Sequence, residues 1–382
     1  MRESIPSMST GKPRVGIAGQ LPPPWGGQNI AIAAQWKELQ SHAQVEGIFC
    51  PFRFTPAAGS VRRPTLGKVW ELLRVRRKLL ALGRPRALDV LLLPVGGPQT
   101  VPLLRDLFLV PWARQATRCL ALQFHAAGLA DRLRQKPSWL VRRVARLLGT
   151  ADVAFIMAQA NRRDPEICGI ADVRIRPHQI PDLNPTGATD PRDPTRLLYV
   201  GHLGNEKGTP SLIQAMAHLP KEVCLDLVGE PLPPWTFRDF QQLADGLGVS
   251  ARVRFAGPQP PEKLGAFYRK ASLFVFPSVA PYESFGLVLA EAMMWGLPVV
   301  SSDWRANSEV LGPGGNWLYD PSEEGGLVRA FHEAWRDKAR WQQIGRANRL
   351  RYELTYRFGA GPTVVEDLVA LALGRGRGLQ TA

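Results

Sequence analysis

Tyr282-Glu283-Ser284-Phe285-Gly286-Leu287-Val288-Leu289-Ala290-Glu291 decides the fold once it is read with its flanks. Upstream stands the apolar run Leu273-Phe274-Val275-Phe276-Pro277-Ser278, a buried strand ending in a loop. Downstream, Leu287 to Trp295 has helical character and is stopped by Gly296 and Pro298. A second β-rich run, Val299-Val300-Ser301-Ser302, follows at once. This spacing places Glu283 at the mouth of a strand–loop–helix unit and Glu291 about two turns into the helix. Gly286 permits close backbone approach. The first helical amides, near Phe285 to Leu287, are expected to be unpaired donors at the positive end of a dipole, a seat for a diphosphate. Carboxylates on either side of that anion can accept hydrogen bonds from sugar and ribose hydroxyls.

The same alternation runs through the rest of the chain. A strand Val15 to Gly19 leads into the loop Gln20 to Asn29 and a helix from about Ile30 to Leu39, the opening of a doubly wound α/β sheet. The loop lacks the G-x-G-x-x-G fingerprint, which argues against a nicotinamide or flavin cofactor. Its adjacent Gly26 and Gly27 can still bring backbone N–H groups to an anion. Further strands are expected at Val45–Phe49, Val90–Pro94, Cys119–Gln123 and Val153–Met157. Pro177, Pro181, Pro185, Gly187 and Pro191 mark residues 175–192 as an interdomain linker. A second α/β domain opens with Arg196–Val200 and continues through strands at Cys224–Val228, Val253–Phe255, Leu273–Phe276 and Val299–Ser301.

Two further segments belong with the glutamates. Gly201-His202-Leu203-Gly204-Asn205-Glu206-Lys207-Gly208 is a strand end, a loop with two glycines and a lysine before the next helix. Lys207 would neutralise a diphosphate as a point charge, although the spacing is not that of a Walker A loop. His125, in Gln123-Phe124-His125-Ala126-Ala127-Gly128, lies just past a buried strand, where ligand groups gather in open α/β sheets.

The run Glu283 to Met293 resembles the E-x7-E motif of retaining, nucleotide-sugar-dependent glycosyltransferases of the GT-B fold, family 4, also called glycosyl transferases group 1. The resemblance continues through Gly296-Leu297-Pro298-Val299-Val300 and to Glu309, which matches a further glutamate of that family. The Pro22-Pro23-x-x-Gly26-Gly27 loop, the His125 segment and the Gly201–Gly208 loop resemble family motifs as well, with one departure: His202 stands where the family has arginine. The resemblance implies two Rossmann-like doubly wound domains facing each other across a cleft. It implies an acceptor-binding domain at 14–185 and a nucleotide-sugar-binding domain at 186–359, after residues 1–13, whose polar Ser, Thr, Gly and Pro composition reads as a disordered N-terminus. A C-terminal helix at about 360–375 would cross back to the first domain. It implies His125 and Glu283 as catalytic residues. Gly26, Gly27, His202, Lys207, Ser284, Phe285, Gly286, Leu287 and Glu291 would bind the donor, with Glu291 on the ribose. It implies a saccharide or lipid-linked acceptor in cell-surface polysaccharide or glycolipid synthesis; no Asp-x-Asp triplet stands out as a divalent-metal clamp, so no metal or other cofactor is expected.

Bulk properties fit this reading. A chain of 382 residues suits two domains. No apolar run reaches the roughly 18 residues of a spanning helix, and residues 1–13 lack the apolar segment of a secretory signal. Cys50, Cys119, Cys168 and Cys224 are scattered without paired spacing, which suits a reducing cytoplasm. The net charge of +15 asks for a polyanionic partner. Arg62, Arg63, Lys68, Arg74, Arg76, Arg77, Lys78, Arg84 and Arg86 cluster in one segment; Arg132, Arg134, Lys136, Arg142, Arg143 and Arg146 form a second. Trp70, Leu72, Leu73, Trp139, Leu140 and Val144 are interleaved with them at helical spacing. Such helices, at 62–86 and 131–149, either lie on an anionic bilayer, making the protein peripheral on the inner face of the cytoplasmic membrane, or bury their apolar stripes in the domain core. Nucleic acid is the weaker alternative partner, because no nucleic-acid-binding motif accompanies the charge. A catalytically inactive sugar-binding scaffold of the same fold is the alternative that His202 favours.

Overall fold

The computed structural model describes residues 11–23, 26–54, 66–80, 86–187 and 195–374. Arg62, Arg63, Arg84, part of the linker, the first ten residues and the chain beyond 374 lie outside them. The first sheet comprises β1 (Arg14–Gly19), β2 (Glu46–Pro51), β3 (Leu88–Val95), β4 (Thr117–Phe124), β5 (Val153–Ile156) and β6 (Val173–Ile175), in the order β2-β1-β3-β4-β5-β6. The second comprises β7 (Arg196–Val200), β8 (Cys224–Val228), β9 (Val253–Gly257), β10 (Leu273–Phe276), β11 (Val299–Ser302) and β12 (Trp317–Tyr319), in the order β12-β11-β10-β7-β8-β9. The strand pairs are parallel. Parallel strands must be covered on both faces, which is why β3, β5 and β10 are nearly unbroken apolar runs.

Helices α1 (Gly27–Ser41), α2 (Leu66–Leu80), α3 (Thr100–Ala116), α4 (Leu129–Gln135), α5 (Trp139–Leu148) and α6 (Arg163–Ile167) accompany the first sheet. Helices α7 (Thr209–Ala215), α8 (Phe237–Gly246), α9 (Pro261–Lys270), α10 (Leu287–Met294), α11 (Asn307–Leu311), α12 (Gly326–Arg336) and α13 (Trp341–Thr355) accompany the second. The last helix, α14 (Val364–Ala372), packs on β1 and β3 of the first sheet. Thr363 and Glu366 close a capping box at its start. Its apolar face, Val364, Val365, Leu368 and Val369, joins Val15, Ile17 and Val90 in one core cluster. Arg174 and Arg176, on and just after β6, pair with Asp367 of α14 at 2.7 and 2.5 Å.

Several local expectations need correction. Helix α1 starts at Gly27, not near Ile30, because Gly26 serves as N-cap and its carbonyl accepts the Ile30 N–H at 3.0 Å. Helix α10 starts at Leu287, so Glu291 lies just over one turn in, not two. Of the two alternatives left open for the basic helices, both are partly realised: Val75, Leu79, Val144 and Leu148 are buried, while Trp70 and Trp139 are 68% and 72% exposed. Strands β6 and β12 have no counterpart among the strands expected from the sequence.

Candidate active site in the cleft between the sheets

In an open α/β sheet, ligands bind beyond the carboxyl ends of the strands, where strand order reverses. The second sheet reverses at β7, between β10 and β8, and the first at β1, between β2 and β3. The loop after β7 carries His202 and Lys207, the loop after β10 carries Glu283 to Gly286, and the loop after β1 leads to Gly26 and Gly27. His125 follows β4 directly. These loops face one another across a cleft of about 700 Å³, and every residue assigned to the site by the sequence lines it. Gly229 makes the C-terminal wall compact: its φ is +152°, and a Cβ there would sit 1.8 Å from the Gly201 carbonyl oxygen.

Lys207 and Glu283 form the electrostatic centre. The Lys207 ammonium donates to the Glu283 carboxylate at 2.6 Å, and each side chain is 13% exposed. The Ser278 hydroxyl donates to the same carboxylate oxygen at 3.0 Å, and the Gly286 amide is directed at the carboxylate. Burial pushes Glu283 up, but Lys207, Ser278 and the Gly286 amide outweigh it and hold the group below the usual carboxylate value. Burial pulls Lys207 down, but Glu283 and Tyr282 outweigh it and keep the ammonium charged. The Gly286 amide is therefore not the unpaired donor expected of it. Gly286 is the left-handed N-cap of α10, φ +67°, and leaves the first-turn amides of Leu287 and Val288 at the cleft wall.

Glu291 accepts a hydrogen bond from the Tyr268 hydroxyl at 2.6 Å, and burial raises its carboxyl despite that bond. Burial and the nearby Lys207 lower the His202 imidazole, against a smaller opposing influence of Glu230. No arginine lines the cleft among the described residues.

His125 is the unusual group. Both its ring nitrogens are buried without a hydrogen-bond partner among the described residues. Burial, then His178, hold it well below the ordinary imidazole value, so the ring is neutral. Its backbone is fixed instead: the Ser284 hydroxyl donates to the His125 carbonyl at 2.7 Å. Asn161 donates to the Ser284 carbonyl at 2.6 Å, and the Ala127 amide donates to the Tyr282 carbonyl at 3.2 Å. The loop bearing Glu283 is thus stitched to the loop bearing His125.

Glu309 is not at the cleft. Its carboxylate accepts from the amides of Gln159 and Ala160 at 2.6 and 2.9 Å and ties the two halves together elsewhere. Sequence reasoning missed Tyr268, Ser278 and His178, each of which touches a site residue. Tyr268 carries no signal beyond that of a helix residue facing the core.

Residues 187–351, less than half of the chain, match the model of the family glycosyl transferases group 1, and the two facing parallel sheets have the GT-B fold. The D-inositol 3-phosphate glycosyltransferase of Corynebacterium kroppenstedtii is 30% identical over 227 residues, 52% of this chain and 48% of that protein. The O-antigen chain mannosyltransferase B of Escherichia coli is 32% identical over 155 residues, 40% of each chain. The chain thus spans about half the length, or less, of these curated relatives. Among solved structures, sucrose-phosphate synthase from Thermosynechococcus elongatus superposes with a TM-score of 0.71 at 19% identity, covering 96% of this chain and 98% of that one. Anabaena HepE in complex with UDP and glucose gives 0.68 at 17% identity over 94% and 99%.

Proposed function

We propose that this chain transfers a sugar from a nucleoside-diphosphate sugar to an acceptor hydroxyl, with retention of configuration, in cell-surface polysaccharide or glycolipid synthesis. The observation that carries the reading is the convergence of Lys207, Glu283, the start of α10 and the unpartnered His125 ring on one cleft. In the reaction the anomeric C–O bond to the diphosphate breaks, a new C–O bond to the acceptor oxygen forms, and the acceptor hydroxyl proton passes to the departing diphosphate. Negative charge grows on the leaving diphosphate. Lys207 and the first-turn amides of α10 and α1 would bind it. Glu283 and Glu291 offer carboxylate oxygens to sugar and ribose hydroxyls. His125 offers one donor and one acceptor nitrogen in a water-poor wall. The charge on the leaving group needs no divalent metal in this scheme, so chelation with EDTA should leave turnover unchanged. The UDP held by HepE supports a uridine donor as the first to try.

The acceptor is proposed to be lipid-linked and met at the cytoplasmic membrane face. Support comes from the exposed Trp70 and Trp139, which stand on helices that also carry Arg74, Arg76, Arg77, Lys78, Arg142, Arg143 and Arg146. No helix among the described residues is long and apolar enough to cross a membrane. The functional test is nucleoside-diphosphate release from a panel of nucleotide sugars, with and without candidate acceptors. Release that Glu283→Gln abolishes is expected. No release from any donor would favour a sugar-binding scaffold instead.

A further inference from the structure

The His125 ring has no hydrogen bond to set its orientation, yet it lines the cleft where the proposed reaction needs a fixed imidazole. A ring held by its backbone alone can still rotate about its side-chain bonds. What constrains it is another ring. His178, which follows β6, stacks on His125 with centroids 5.5 Å apart and an interplanar angle of 16°. His178 also makes a T-shaped contact with Phe285, with centroids 5.5 Å apart and an interplanar angle of 81°. Phe285 in turn meets Tyr356 edge-on at 5.4 Å, and the Tyr356 hydroxyl donates to the Val310 carbonyl at 2.9 Å. Phe285 and Tyr356 are each only 3% exposed. Four rings therefore run from the end of β4, across the seam between the sheets, to the body that carries Glu283.

We infer that His178 is a positioning residue: it fixes the ring plane of His125 by stacking and, through Phe285, ties that plane to the loop bearing Glu283. This rests on the proposed transferase activity for its kinetic consequence, though not for its structural one. The stack is an aromatic contact, so a ring is what the position requires, not a titratable or hydrogen-bonding group. Space for a different ring exists, because His178 also borders a small chamber of about 50 Å³ next to Gln35 and Gln123.

The test compares His178→Ala with His178→Phe. His178→Ala is expected to lower kcat about 10- to 100-fold, the scale on which misplacement of a reacting group acts, with the donor KM within about twofold. His178→Phe is expected to restore most of the loss. A second readout needs no turnover: in imidazole-labelled protein, the His125 ring resonances should broaden or shift in His178→Ala and stay near wild type in His178→Phe. Wild-type kcat in His178→Ala overturns the inference. So does an equal loss in both variants while each melts as the wild type does, since His178 would then act through its nitrogens. If no donor turns over at all, the ring resonances decide alone, and unchanged resonances in His178→Ala overturn it.

Discussion

Replacing Lys207 with methionine strikes the electrostatic centre of the cleft and has a consequence that can be worked out. The ammonium and the Glu283 carboxylate are 2.6 Å apart and each is 13% exposed. Removing one member of a buried pair leaves the other uncompensated, a loss of about 3–5 kcal/mol. Glu283 keeps the Ser278 hydroxyl and the Gly286 amide, which places the expected loss near the lower end, about 3 kcal/mol. For a domain of this size that corresponds to a melting shift of about 6–12 °C. The loss should depend on pH in a definite direction. In the wild type Glu283 titrates below its ordinary value, so its contribution is present above that value and disappears as pH falls through the depressed one. Without Lys207, only the Ser278 hydroxyl and the Gly286 amide oppose burial, and the carboxyl is expected to rise. The variant's deficit should then be full at neutral pH and shrink as acid protonates Glu283. The double variant Lys207→Met/Glu283→Gln should regain much of the loss, because no uncompensated charge remains. Urea unfolding of the four proteins at pH 7.5 and 5.5 measures all of this. A single variant within about 0.5 kcal/mol of wild type, or a deficit that does not shrink in acid, would refute the reasoning.

Other expectations follow from neighbouring residues. His202→Arg should tighten nucleoside-diphosphate binding at pH 8 by about tenfold, and the wild type should bind more tightly as pH falls while the arginine variant does not; calorimetry across pH 5.5–8 checks both. Burial lowers His178 from 6.5 to about 4, so its neutral form favours the fold above pH 6.5. That stability, about 3 kcal/mol at full strength, should drain away as pH falls from 6.5 towards 4, and His178→Phe should flatten this part of the stability profile. Trp139→Ala should weaken sedimentation with anionic vesicles about tenfold without changing melting, since the side chain is 72% exposed; unchanged sedimentation would remove the membrane face.

The sequence carried the sheets because burial on both faces writes parallel strands as unbroken apolar runs, as in Leu273–Phe276 and Leu197–Val200. It did not carry β6 or β12, which are three residues long and partly exposed, too short for any period to register. The site loops were legible because glycines, a lysine and glutamates gathered at strand ends combine open backbone amides with a cation and hydroxyl acceptors, the chemistry a sugar diphosphate requires. What escaped was the set of partners that long-range folding supplies. Tyr268 reaches Glu291 from another helix, and His178 reaches His125 from another strand end. The start of α1 was misread because Gly26 and Gly27 look like loop residues, whereas one caps the helix and the other begins it. The two tryptophans were ambiguous because an amphipathic stripe has the same spacing whether it meets a core or a membrane.

The central claim is that a diphosphate docks between Lys207 and the start of α10. Isothermal titration of uridine, guanosine, adenosine and thymidine diphosphates into the wild type and into Gly286→Val and Lys207→Met variants tests it most directly. At least one nucleotide should bind the wild type with 1:1 stoichiometry, and both variants should weaken it by tenfold or more. Binding of equal strength in all three proteins, or of no nucleotide to any, would contradict the account.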